Sequence, residues 1–374
     1  MTRPTFDEDV AFMRRYARVD VLTSSDGRCV ATCPTWQGRV MTSAVAADGE
    51  SLGFVNRPFI EAGSTGTRFD NYGGEDRFWL GPEGGQFGLF FAPGAPFEYE
   101  SWRVPGELQQ GAWSARAAGD GAVVFARTMR LENYARARFD VAVERRVVLL
   151  DARGVEARFG TAPPGDGGWV AFETVNVIAN AGSRTWTRDT GLLSVWILGQ
   201  YPAWPDARVL VPLSRGDGGA GGVNDRYFGK VPPDRLKLRD GGRCLVFTAD
   251  GEHRSKIGVG PSRAEPVLGA YAPGARRLTL VRYSKPEGRR EYVNSMWERQ
   301  EDPYGGDVVN SYNDGPIGPG APAAAAAFYE LETSSAAAAL APGESLAHSS
   351  ATLHVVGEPA VLEPFMRRAL RLAP

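Results

Sequence analysis

Phe328-Tyr-Glu-Leu-Glu-Thr333 is followed by Leu340-Ala-Pro-Gly-Glu344 and then by Ser350-Ala-Thr-Leu-His-Val-Val356. Aromatic and β-branched residues favour a strand in the first and last runs, and Pro-Gly between them is turn chemistry. In the first run Glu330 and Glu332 are two residues apart, so a strand projects both carboxylates from one face. A buried pair of like charges raises at least one pKa, which is a way to make a general base or acid. On a solvated edge strand the same pair is only an acidic face.

The same texture extends outward from this stretch. Residues Gly121 to Arg127, Arg145 to Leu150, Trp169 to Ile178, Gly191 to Leu198, Cys244 to Thr248 and Arg277 to Tyr283 each read as a strand bounded by Gly, Pro, Asn or Asp. Helical periods are missing between them, which calls for hairpins and a sheet-on-sheet core rather than crossover helices. Helical spacing appears only at the ends. Phe6, Val10, Met13 and Tyr16 predict a helix over 6–17 with Thr5 as N-cap, and Val361, Leu362, Phe365, Met366 and Leu370 predict one over 359–372. Loops at 160–168, 214–225 and 315–327 are rich in Gly, Ala and Pro, but each is flanked by strands of one kind. The alanine patches Ala323 to Ala327 and Ala336 to Ala339 carry no functional signal of their own. The expectation is a mainly β chain folded over 1–374 as a single domain, decorated by the two terminal helices.

Bulk properties exclude several classes. With 374 residues, 43% hydrophobic and 23% charged, the chain has material for a large core. Its net charge of −2 and scattered Lys and Arg leave no concentrated basic face, so a nucleic-acid partner is not expected. Neither a secretory apolar segment nor a membrane-length run is present, and the three cysteines, Cys29, Cys33 and Cys244, are too few for a disulfide scaffold. Cytoplasmic residence is the simplest reading. Phosphate-loop, dinucleotide, nucleophile-elbow and zinc-protease motifs are all absent, and no metal or cofactor is expected. His348 and His354, six apart in a strand-like stretch, read as structural histidines.

Asn71-Tyr-Gly-Gly-Glu-Asp-Arg-Phe-Trp-Leu-Gly-Pro-Glu-Gly-Gly85 packs three acids, one Arg, one Trp, one Tyr and five glycines into fifteen residues. Glycines permit tight turns and close approach to a ligand, Arg77 offers a planar fork of donors, and Trp79 offers a face for stacking on a sugar. A glycine-rich hairpin whose charges pair among themselves is the bland alternative. Asn310-Ser-Tyr-Asn-Asp-Gly315 adds polar groups that suit hydroxyls, but it is also an ordinary turn sequence.

Together these segments resemble the aldose 1-epimerase (galactose mutarotase) superfamily. Leu331-Glu332-Thr333 with the following Pro342-Gly343-Glu344 is similar to the family's strand, insertion and turn, and the resemblance implies that Glu332 is the catalytic base. Val308 to Gly315 is similar to the strand ending in Tyr-Thr-Gly-Asn, Gly73 to Arg77 falls where the family has a sugar-contacting Arg, and Val175 to Gly182 resembles its mid-chain strand and turn. The whole chain also looks like a group of bacterial mutarotase-like proteins that share the Gly73 to Gly85 block. What the resemblance implies is a galactose mutarotase-like β-supersandwich that binds a small carbohydrate, with Asn71, Arg77, Trp79, Glu83, Trp196, Asn310, Tyr312 and Asp314 as contacts. One departure is plain: the family's general-acid histidine is replaced in Gly191 to Gly199. Asp250-Gly-Glu-His253-Arg-Ser-Lys256 offers Lys256 or His253 as a replacement, across the cleft from Glu332. Carbohydrate binding without catalysis, and glycan cleavage by a carboxylate pair (Glu330 with Glu332, or Glu83 with Glu332), are the competing readings.

Overall fold

The computed structural model describes residues 3–63, 68–119, 121–214, 222–316 and 327–372. Alternation of side chains becomes three antiparallel sheets among them. The smallest holds β1 (Asp20–Thr23), β2 (Cys29–Cys33) and β3 (Arg39–Ala44). Helix α1 (Phe6–Met13) packs Phe6, Val10 and Met13 on Cys29, Ala31 and Met41. Thr5 caps it with a reciprocal pair, its hydroxyl accepting from the Glu8 N–H at 3.3 Å and its own N–H donating to Glu8 Oε2 at 2.8 Å. The helix stops short of the expected 17, because Arg15 and Tyr16 bond three residues back to Phe12 and Met13 and tighten the last turn out of the α ladder.

A six-stranded sheet runs in the order β11 (Val223–Asn224), β14 (Ser255–Val259), β17 (Val309–Asn313), β18 (Phe328–Ser334), β9 (Ser194–Pro202), β4 (Arg77–Gly81). A ten-stranded sheet runs β12 (Leu236–Arg239), β13 (Cys244–Thr248), β10 (Arg208–Pro212), β15 (Val267–Ala272), β16 (Arg277–Tyr283), β19 (Ser345–Val356), β8 (Gly168–Asn180), β7 (Arg138–Leu149), β6 (Ala122–Glu132), β5 (Ser114–Ala117). The two sheets face each other. Phe78, Leu80 and Ile197 of the first join Phe125, Val143 and Phe172 of the second in one buried cluster, while Ile257 and Leu331 join Val211, Phe247 and Val281 in another. Each such fully buried side chain contributes about 1.5–3 kcal/mol, so the sandwich interface dominates the stability.

The outer face of the ten-stranded sheet is covered by α3 (Ala152–Phe159) and α4 (Pro359–Ala369), which set Val155, Phe159, Leu362 and Phe365 against Leu278, Leu280, Leu353 and Val355. Covered on both faces, central strands such as β16 lose the clean apolar-polar alternation of a half-exposed strand. Helix α3 and the short α2 (Arg57–Ala62) lie where the sequence shows no helical period. Only Val155 and Phe159 of α3 and Ile60 of α2 are buried, too few positions to make a period visible. Their local signals are caps: Asp151 Oδ1 accepts from the Gly154 N–H at 2.7 Å, and Asn56 Oδ1 from the Phe59 N–H at 3.3 Å.

The terminal helix ends at Ala369 rather than 372. The alanine patch beginning at Ala336 packs: Ala336, Ala337 and Ala338 are buried, and Ala338 bridges Leu193. Residues 215–221 and 317–326 of the expected loops, including Ala323 to Ala326, lie outside the described residues. No helix among the described residues is long and apolar enough to cross a membrane.

Candidate functional site: an aromatic cavity over the six-stranded sheet

The glycine-rich block sets the first edge of the site. Gly73 and Gly74 adopt φ of 91° and 114°, and a Cβ on Gly73 would lie 2.0 Å from the Phe54 carbonyl oxygen, so the turn into β4 requires glycine there. The next two acids anchor that turn. Glu75 accepts from the Ser43 hydroxyl and lies 2.9 Å from His354 Nε2, while Asp76 accepts from Thr174 Oγ1 at 2.9 Å and pairs with Arg145. With Asp76 held from the ten-stranded sheet, the period of two turns Arg77 and Trp79 to the opposite face of β4.

Strand register then assembles the floor. Directly paired residues share a face, so one row contains Lys256, Tyr312, Glu330 and Gln200, the next Asn310, Glu332, Leu198 and Arg77, and the third Ser334, Trp196 and Trp79. A cavity of about 270 Å³ lies on this face, walled by loop aromatics Phe69, Tyr99, Trp102, Phe228 and Trp297.

Two ion pairs cross the floor. Glu330 Oε1 accepts from Arg77 Nη2 at 3.0 Å and from Gln200 Nε2 at 2.9 Å. Glu332 Oε2 accepts from Lys256 Nζ and from Trp196 Nε1, both at 2.9 Å. Arg77 also lies 4.1 Å from the Trp79 ring centre, and its buried Nε and Nη1 have no hydrogen-bond partner among the described residues. Glu83 reaches in from the turn after β4 and accepts from Trp102 Nε1 at 2.8 Å.

Burial raises the Glu332 carboxyl to about 7, against the opposing pull of Lys256. Burial disfavours the Lys256 charge, but Glu332, Glu83 and Glu330 outweigh it and hold the ammonium above the ordinary lysine value. Attraction to the carboxylates thus favours the charged lysine, while burial works against the charge of the glutamate. Burial raises Glu83 and Asp314 as well. The result is a site with stacking faces over a floor of two buried ion pairs, with carboxyls whose charge burial disfavours.

A profile built on a family of unknown function, DUF6786, matches residues 4–373. The chain belongs to DUF6786. No functionally curated protein matches it in sequence. Among solved structures, a candidate aldose 1-epimerase from Escherichia coli K12 superposes with a TM-score of 0.57 at 12% identity, covering 91% of this chain and 100% of the other. A galactose mutarotase-like protein from Lactobacillus casei ATCC 334 gives 0.51 at 12% identity, covering 90% and 100%. These likenesses establish a mutarotase-like fold for the DUF6786 chain.

Asn71, Arg77, Trp79, Glu83, Trp196, Lys256, Tyr312 and Asp314 of this DUF6786 member all line the one cavity, although they come from four separate stretches of the chain. Three residues named from the sequence do not line it. Glu332 is fully buried in the floor behind Lys256, Asn310 turns its amide to Tyr227 Oη at 3.1 Å and the Ile257 carbonyl at 3.3 Å, and His253 is exposed on the turn before β14. Lys256 does not lie across the cleft from Glu332 but touches it, since β14 and β18 are separated only by β17. His348 and His354 are buried between the sheets, 2.9 Å from Thr333 Oγ1 and Thr279 Oγ1 respectively.

Sequence reasoning missed Gln200 and Arg254. Continuing the alternation of Trp196 and Leu198 by one step reaches Gln200, and Arg254 stands in the segment quoted for Lys256. Trp102 and Trp297 sit on irregular loops without any periodic signal. Among the described residues no group of three or more His, Cys, Asp or Glu is placed to hold a metal ion.

Proposed function

We propose that this chain binds a single carbohydrate ring in the aromatic cavity and exchanges the configuration of its anomeric carbon, with Glu332 as general base and Lys256 as proton donor. The 2.9 Å contact between Lys256 Nζ and Glu332 Oε2 carries the reading, beside Arg77 and Trp196 on a mutarotase-like fold. In mutarotation the base takes the anomeric hydroxyl proton, the hydroxyl oxygen becomes a carbonyl as the bond from C1 to the ring oxygen breaks, and the acid protonates the ring oxygen. Both oxygens are bonded to one carbon, so an acid and base in contact serve them without spanning the ring. Rotation about the neighbouring C–C bond and reversal of these steps give the other anomer: Lys256 takes back the proton of the hydroxyl that recloses the ring, and Glu332 returns its proton to the carbonyl oxygen, which restores both groups. Ligand pockets commonly start near about 300 Å³, so the cavity suits one ring rather than a chain. Trp79 and its aromatic neighbours supply apolar faces for the ring.

One observation favours a second reading, carbohydrate binding without turnover: Glu332 has no exposed surface, and Lys256 stands between it and the cavity. Saturation-transfer NMR on a panel of aldoses tests both. Exchange above the spontaneous rate that disappears in Glu332→Gln while binding survives is the expected result. Binding without exchange promotes the second reading, and absence of binding across the panel sinks both.

A further inference from the structure

Three cations line the cavity, and two of them are paired. Arg77 is held by Glu330 at 3.0 Å and Lys256 by Glu332 at 2.9 Å. Arg254 has no ion-pair partner among the described residues. Its guanidinium lies 3.7 Å over the Phe228 ring, and its Nε donates to Tyr312 Oη at 3.3 Å. Asp314 accepts the same Tyr312 hydroxyl at 3.2 Å and feels the Arg254 charge, but it stands beyond ion-pair contact with it. Stacking fixes the plane of the guanidinium, and the Nε bond fixes its rotation within that plane. Nη1 and Nη2, which have no hydrogen-bond partner among the described residues, are left as a pre-set fork in a half-buried, aromatic-walled mouth. Two parallel N–H donors on a fixed cation match the two oxygens of a carboxylate or phosphate, whereas a hydroxyl uses only one of them.

We propose that the ligand's ring carries an anionic substituent, a carboxylate or a phosphate, which Arg254 receives at the cavity mouth while the ring lies over Arg77 and Trp79. This rests on the reading of the cavity as a carbohydrate site. It narrows the substrate class to acidic sugars.

The test titrates the full chain with glucose, galactose and mannose, and with the uronic acid and 6-phosphate of each, by ligand-observed NMR and calorimetry. One acidic series is expected to bind roughly ten- to a hundredfold tighter than its neutral parent, the gain typical of charge-assisted hydrogen bonds, and raised salt should shrink the gain. The uronic acid and phosphate arms tell the two anions apart. Arg254→Met should remove the preference, read as the ratio of acidic to neutral affinity within the variant, and the thermal melt of the variant checks that it is folded. Neutral sugars binding as tightly as both acidic forms, or a preference that persists in Arg254→Met, overturns the proposal and leaves the carbohydrate site standing. If no sugar of any kind binds, the proposal and the carbohydrate reading fall together.

Discussion

Replacing Glu332 by Gln should destabilise the fold by about 3 kcal/mol at pH 8, and replacing Lys256 by Met in the same chain should recover most of that loss. The reasoning starts from burial: Glu332 is 0% and Lys256 5% exposed, so neither charge has water to fall back on. Removing one partner of such a pair costs about 3–5 kcal/mol, because the other charge is left uncompensated in a medium of low polarity. The lower end applies to Glu332→Gln, since Glu83 and Glu330 still act on the lysine. Lys256→Met alone leaves Glu332 with Glu83 and Glu330 as like-charged neighbours, and it escapes part of the cost by taking up a proton. The double variant has neither charge to strand, so a double-mutant cycle should return a coupling of about 2–4 kcal/mol at pH 8. At pH 5 Glu332 lies below its raised pKa and is protonated in the wild type, and the coupling should shrink. Equilibrium unfolding in urea of the four proteins at both pH values is the assay. Additivity within about 0.5 kcal/mol at pH 8 would refute the buried ion pair.

Any catalysed anomer exchange should rise with pH through about 7, where Glu332 loses its proton, and hold until Lys256 deprotonates above the ordinary lysine value; a flat profile from pH 5 to 8 removes Glu332 as base. His348, buried as the neutral imidazole, has its pKa lowered by burial from 6.5 to about 3. The unfolded chain therefore binds the extra proton first, and about 5 kcal/mol of stability should drain away between pH 6.5 and 3, an acid lability that His348→Gln should flatten in pH-dependent thermal melts. We expect the chain to unfold as one unit, and calorimetry resolving two separated transitions would contradict the single domain read from its sequence.

Period-two alternation and caps are written in neighbouring residues, which is why the β class, the helix at Phe6 and the strand at Phe328 were legible. Placing Glu330 and Glu332 on one face needed no more than their spacing. Which carboxylate opens on the cavity was another matter. Glu332 is sealed because Lys256, 76 positions away, and Trp196, 136 away, converge on one of its oxygens, while Glu330 is turned to Arg77, 253 away. Those distances along the chain are set by strand order and register, which depend on how whole sheets pair and pack. Proximity within the segment Asp250 to Lys256 likewise left His253 and Lys256 equal, and the turn before β14 separated them by exposing one and burying the other. The sequence by itself determined the strands, their inward faces and most of the polar residues that line the site. Tertiary structure alone decided their pairing, because each ion pair and each wall of the cavity is a contact between strands or loops that carry no local record of one another.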